Sequence, residues 1–66
     1  MKIEVELEAD GRWLAEIPEL PGVLVYAESR EKAVSKVEAL ALRILAERLE
    51  NDEIIPALDR VFALPA

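Results

Sequence analysis

The chain is 66 residues long, carries 14 acidic against eight basic side chains for a net charge of −6, and contains neither cysteine nor histidine. That composition excludes a disulfide framework, a cysteine- or histidine-ligated zinc and triad-type nucleophilic catalysis, and its charge opposes broad binding to phosphate backbones. A domain of this size buries only about 60% of the surface its unfolded chain exposes, so with 53% hydrophobic residues and no covalent staple the sequence predicts leftover apolar surface and self-association as a dimer or tetramer.

Ile3, Val5, Leu7 and Ala9 alternate with Lys2, Glu4, Glu6 and Glu8, a period of two that predicts a first strand over residues 2–9 with an apolar and a charged face. Asp10-Gly11 suits a two-residue type I′ hairpin turn. Residues 12–17 return as a second strand, with Trp13, Ala15 and Ile17 on the core face and Leu14 outside beside Arg12 and Glu16. Pro18-Glu19-Leu20-Pro21-Gly22 then forces the chain out of one strand and into the next, because proline cannot donate to a ladder and glycine readily takes a positive φ. Residues 23–28 form the third strand, apolar at every position but the last, so periodicity does not choose its inner side. With Val23, Val25 and Ala27 inward, Leu24 and Tyr26 join Leu14 on the open face of the sheet.

Ser29 is placed to cap a helix, with Glu31 in the first turn to meet the helix dipole. At 100° per residue, Ala33, Val34, Val37, Leu40, Ala41, Ile44 and Leu45 share one arc of about 140°, wide enough to cover a three-stranded sheet, and the helix runs from Arg30 to about Leu49. Leu42 and Leu49 fall outside that arc and form a second stripe that needs its own cover. Asn51-Asp52 stops the helix, Pro56 breaks the segment beyond it, and residues 59–64 make a short final strand whose Val61, Phe62 and Leu64 supply part of that cover.

The order β-β-β-α-β predicts an α+β fold: an antiparallel three-stranded meander covered on one face by one helix, closed by a C-terminal strand in the sheet order 3-2-1-4. No internal repeat or linker divides it, so residues 1–66 are read as one domain. Met1-Lys2 leads straight into a strand, without a charged start followed by an apolar run, which places the protein in the cytoplasm and off the membrane.

Taken together, Trp13, Ala15, the Pro18-Glu19-Leu20-Pro21-Gly22 connector, the Ser29 cap and the Ala33–Leu40 helix face resemble the HicB family of antitoxins over nearly the entire chain. The resemblance implies a truncated ribonuclease-H-like fold that has lost catalysis. It further implies that the domain neutralises a small basic RNA-cleaving toxin, HicA-like and of double-stranded-RNA-binding-domain type, usually as a dimer or tetramer. Full antitoxins of that family commonly add a DNA-binding segment after this domain; nothing after Leu64 supplies one, and no direct nucleic-acid binding is expected.

Glu4, Glu6 and Glu8 invite comparison with the carboxylates that hold two metals in active ribonucleases of that fold. Their spacing spreads them along about 13 Å of the outer strand face, away from Glu38 and Asp59, so the reading is a solvated, edge-protecting face or an acidic partner surface rather than a metal site. Trp13 reads as core, whereas Tyr26, in phase with Leu14 and Leu24, is open to partner contact or to a snorkelling, wetted hydroxyl. Lys32, Lys36 and Arg43 cluster on the polar side of the helix without interleaved aromatics and read as solvated. The candidate partner or oligomer surface is therefore Glu4, Glu6, Leu14, Glu16, Leu24, Tyr26, Leu42, Leu49 and Phe62, with no catalytic, cofactor or metal residue. The alternatives are a structural or regulatory homo-oligomer without a toxin, and a residual metal-dependent nuclease using carboxylates such as Glu6 and Asp59.

Overall fold

The computed structural model describes residues 1–62 and Pro65. Strands β1 (Glu4–Leu7), β2 (Trp13–Glu16) and β3 (Leu24–Ala27) form an antiparallel sheet in the order β1-β2-β3, helix α1 (Arg30–Glu50) lies against one face, and a 3₁₀ helix (Pro56–Arg60) comes last. The α+β meander-and-helix architecture is the one the alternation and the helical arc predict.

Register places Val5, Ala15 and Val25 in one row and Leu7, Trp13 and Ala27 in the next, all on the face turned to α1. Val23 and Ala27 are buried and Val25 is half-buried, so the third strand takes the inward phase that exposes Leu24 and Tyr26. Ala15, Ile17, Val23 and Ala27 meet Ala33, Val37, Ala41 and Leu45 of the helix in the core. Four of these eight are alanines, small side chains that let the sheet and helix pack closely where they face each other. The helix leans equally over β2 and β3 and much less over β1. Leu7 consequently points to the core side yet stays 56% exposed, and Ala9, also predicted inward, lies beyond the end of β1 and is exposed.

The first hairpin differs from the predicted type I′ turn. Glu8 N–H donates to Arg12 O at 2.8 Å and Gly11 N–H donates to Glu8 O at 3.0 Å, enclosing three residues, and of Asp10 and Gly11 only Gly11 has a positive φ, +90°. A type I′ turn needs positive φ at both central positions; one left-handed glycine after a type I turn gives the three-residue loop instead.

The second connection is two successive β-turns sharing a corner. Leu20 N–H donates to Ile17 O at 2.9 Å, Val23 N–H to Leu20 O at 3.0 Å, and Ile17 N–H to Val23 O at 3.1 Å closes the ladder. Each proline sits second in its turn, where its fixed φ is favourable, and Gly22 at φ +85° supplies the left-handed third position of a type II turn. The shared corner, Leu20, is 3% exposed and joins the core.

Ser29 caps α1 as predicted, its Oγ accepting from Lys32 N–H at 3.2 Å. The C-terminus closes in a Schellman motif: Glu53 N–H donates to Arg48 O and Asp52 N–H to Leu49 O, both at 3.0 Å, with Asp52 left-handed at φ 62°.

In place of the strand predicted over residues 59–64, the chain turns helical. Asp59 and Arg60 belong to the 3₁₀ helix, and Val61 and Phe62 both donate backward to Leu58 O at 2.9 Å. Pro56 presets a helical φ in the first turn and Asp59 is also in that first turn, so the segment starts as a helix rather than ending as a strand. Ala63 and Leu64, the remainder of that prediction, lie outside the described residues, and the sheet holds no fourth strand among those that are described. No helix among the described residues is long and apolar enough to cross a membrane.

Candidate partner surfaces

Two surfaces collect the residues singled out in the sequence. The first is the sheet face opposite α1. Strand alternation sends Glu4 and Glu6 of β1, Leu14 and Glu16 of β2, and Leu24 and Tyr26 of β3 to the same side, and the register sets them in two rows: Glu4, Glu16, Leu24 and Glu6, Leu14, Tyr26. The three carboxylates therefore occupy one corner and the three apolar side chains the other. Leu24 and Tyr26 are 44% and 41% exposed, and no described element covers them.

Arg12 completes this face, and the sequence reading did not select it. Its guanidinium stacks 4.3 Å from the centroid of the Tyr26 ring while its Nε donates to Asp10 Oδ2 at 2.7 Å and its backbone N–H to Asp10 Oδ1 at 3.0 Å. The backbone hydrogen bond from Arg12, and then the guanidinium's own, hold the Asp10 carboxyl below its usual value. The signal was present in the alternation, since Arg12 shares a face with Leu14 and Leu14 pairs with Tyr26; what periodicity could not supply was the register that makes Arg12 and Tyr26 diagonal neighbours.

Glu4 and Glu16 stand directly opposite each other across β1 and β2, and neither forms an ion pair among the described residues. Like charges in directly opposed positions destabilise a sheet. Among the described residues no cation offsets this corner.

The second surface is an apolar groove of about 390 Å³ between the residues ahead of β1, helix α1 and the C-terminal 3₁₀ segment. Met1, Ile3, Leu42, Leu45, Val61 and Phe62 are among its lining residues. Leu42 and Phe62 are 67% and 70% exposed, so the C-terminal segment borders the second helical stripe without sealing it. Leu49 lies on the same flank of α1, nearly half-exposed and away from the groove lining. The predicted set is thus split between two sides of the molecule: six residues on the outer sheet face, and Leu42, Leu49 and Phe62 on the helix side.

The carboxylates weighed against a metal site remain dispersed. Glu4 and Glu6 face away from α1, Glu38 lines the groove on the other side of the sheet, and Asp59 sits in the 3₁₀ helix. Among the described residues no three acidic side chains converge as an ion would require. Comparison with protein-family models, curated proteins and solved structures finds no match to this chain.

Proposed function

We propose that the chain is a non-catalytic interaction module: a cytoplasmic antitoxin domain of HicB type that binds and neutralises a small basic RNA-cleaving toxin, HicA-like in character. The observation that carries this reading is the outer sheet face, where Glu4, Glu6 and Glu16 border an apolar group of half-buried Leu14 with exposed Leu24 and Tyr26. An acidic corner beside an apolar platform fits a cationic protein surface: carboxylates steer encounter and select sign, while the apolar side chains contribute buried area. The proline-bounded double turn and the capped helix support the resemblance to HicB, and the truncated ribonuclease-H-like frame derives from that resemblance. Self-association belongs to the same proposal, because a small chain with no covalent staple leaves Leu24, Tyr26, Leu42, Val61 and Phe62 exposed.

Coexpression with the product of the adjacent open reading frame tests the reading. A small basic, growth-arresting ribonuclease neutralised by the wild-type chain, and no longer neutralised by the triple variant Glu4→Gln, Glu6→Gln, Glu16→Gln, is the expected result. Absence of such a neighbour, or full neutralisation by the triple variant, overturns it.

A further inference from the structure

The meander has two outer strands, and their sequences differ in one respect that decides what can be added to each. Among the described residues β1 and β3 each pair only with β2, leaving a row of backbone donors and acceptors on either side of the sheet. Natural sheets guard such edges with charge, proline or a bulge. β1 is guarded, carrying Glu4 and Glu6 within its four residues; β3 is Leu-Val-Tyr-Ala, with no charge, no proline and no bulge in its pairing.

The direction of the free hydrogen-bonding groups on β3 is set by the closing bond of the double turn. Ile17 N–H donates to Val23 O at 3.1 Å, so residues in phase with Val23, namely Val25 and Ala27, aim their amides and carbonyls at β2. Leu24 and Tyr26 therefore aim theirs at the open edge. We infer that β3 is a self-pairing edge: two copies of the chain join β3 to β3 antiparallel, centred on Val25, into a continuous six-stranded sheet.

Three features of the molecule favour a second copy as the occupant. The register centred on Val25 sets Leu24 opposite Tyr26 of the other copy, twice by symmetry, so the outward-aimed groups of both residues are satisfied by about four ladder bonds. The same register keeps both core faces on one side and juxtaposes an aliphatic with an aromatic side chain, a favourable cross-strand pair. At β1 the equivalent pairing fails on charge: any register that engages all of Glu4–Leu7 with core faces aligned sets glutamate against glutamate.

Helix position supplies the third feature. α1 leans over β2 and β3 alike, and an axis midway between those two strands would lie about half a strand spacing inside β3. Strands about 4.8 Å apart then bring the two helices to roughly 10 Å, at the upper end of the 8–10 Å range in which helices pack. The flank of α1 turned toward its copy is the one opposite Leu42, carrying half-buried Leu40 with Lys36, Arg43 and Glu47 at its border.

This inference rests on the self-association part of the proposed function and is independent of the toxin. Sedimentation equilibrium on the 66-residue chain, with amide hydrogen exchange on the same samples, tests it. Wild type is expected to dimerise, and the Leu24 and Tyr26 amides, unpaired in a single copy, exchange slowly at high concentration and fast at low. Leu24→Pro removes one outward donor per copy and no ladder bond within the chain, and is expected to weaken the dimer at least about 30-fold, while Leu42→Lys leaves it unchanged. A dimer lost in Leu42→Lys but kept in Leu24→Pro moves the interface to the apolar groove and overturns the edge assignment alone. Fast exchange of both amides in a wild-type dimer does the same without relying on any variant to fold. A chain that stays monomeric at millimolar concentration overturns self-association as well, whereas the toxin reading fails only if neutralisation fails.

Discussion

Gly22 allows the double turn to be probed with a pair of mirror-image substitutions. Its φ of +85° is one an L-residue adopts at a cost of about 1–2 kcal/mol, and a Cβ built there meets no heavy atom within 4 Å. The cost of L-alanine is therefore conformational, with no steric clash added. Either alanine also narrows the unfolded ensemble, which stabilises by about 0.4–1 kcal/mol. That gain is the same for both hands, so it cancels when chains carrying L-alanine and D-alanine in place of Gly22 are compared, and the difference isolates the left-handed requirement. A chain of 66 residues is within reach of chemical synthesis. Urea unfolding at one fixed protein concentration should place Gly22→Ala about 0.5–1 kcal/mol below wild type and the D-alanine chain above it by a similar amount, with equal m-values. For a domain of this size the gap corresponds to a melting difference of about 5–15 °C. Two alanine enantiomers that unfold within about 0.3 kcal/mol of each other would refute the claim that the type II geometry at Gly22 closes this connection.

Glu16→Lys relieves the opposed pair with Glu4 and is expected to raise the stability of the isolated chain by about 0.5–1 kcal/mol in thermal melts, while weakening capture of the proposed basic toxin more than about 10-fold by titration calorimetry; a variant both less stable and equally avid contradicts the proposed role of the corner. Asp52→Gly removes a side chain from a left-handed helix terminus, and chemical denaturation should register a gain of about 0.5–1 kcal/mol. Asp10 titrates lower in the folded chain than its ordinary value of 3.8, so its contribution is complete above that pH and disappears as pH falls through the lower folded value. Melting wild type and Asp10→Asn from about pH 5 to about pH 2.5 should therefore show two curves that converge below about pH 3.8; an advantage for wild type that persists to the acid end contradicts the sign.

Much of this fold was legible because its elements are periodic. The face from Ala33 to Leu45 named its buried side, alternation in residues 2–9 named the side turned to the helix although only Ile3 and Val5 are half-buried there, and the caps at Ser29 and Asn51 bounded the helix. What escaped depended on geometry that periodicity does not encode. Leu20 reads as a loop residue until two turns are seen to share it, and only then does its side chain point inward. Leu7 has the phase of a core residue, yet the helix lies over β2 and β3 and does not reach it. The segment after Pro56 carried its own signal, proline opening a turn with an acid behind it, but β-branched and aromatic residues farther on suggested a strand. On the outer sheet face, parity placed Glu4, Glu6, Leu14 and Glu16 but left the phase of β3 open; packing set Leu24 and Tyr26 beside them, and register then decided that the carboxylates gather at one corner and Arg12 lies over Tyr26.

Trp13 is the sole tryptophan, half-buried on the inner side of β2 among the packed residues of the core. Its emission consequently reports the docking of the helix onto the sheet and little of what happens on the reverse side. A ligand seated against the carboxylate corner should leave that fluorescence unmoved while loss of the helix shifts it to the red, giving the chain a built-in optical gauge that separates occupancy from unfolding in a single cuvette.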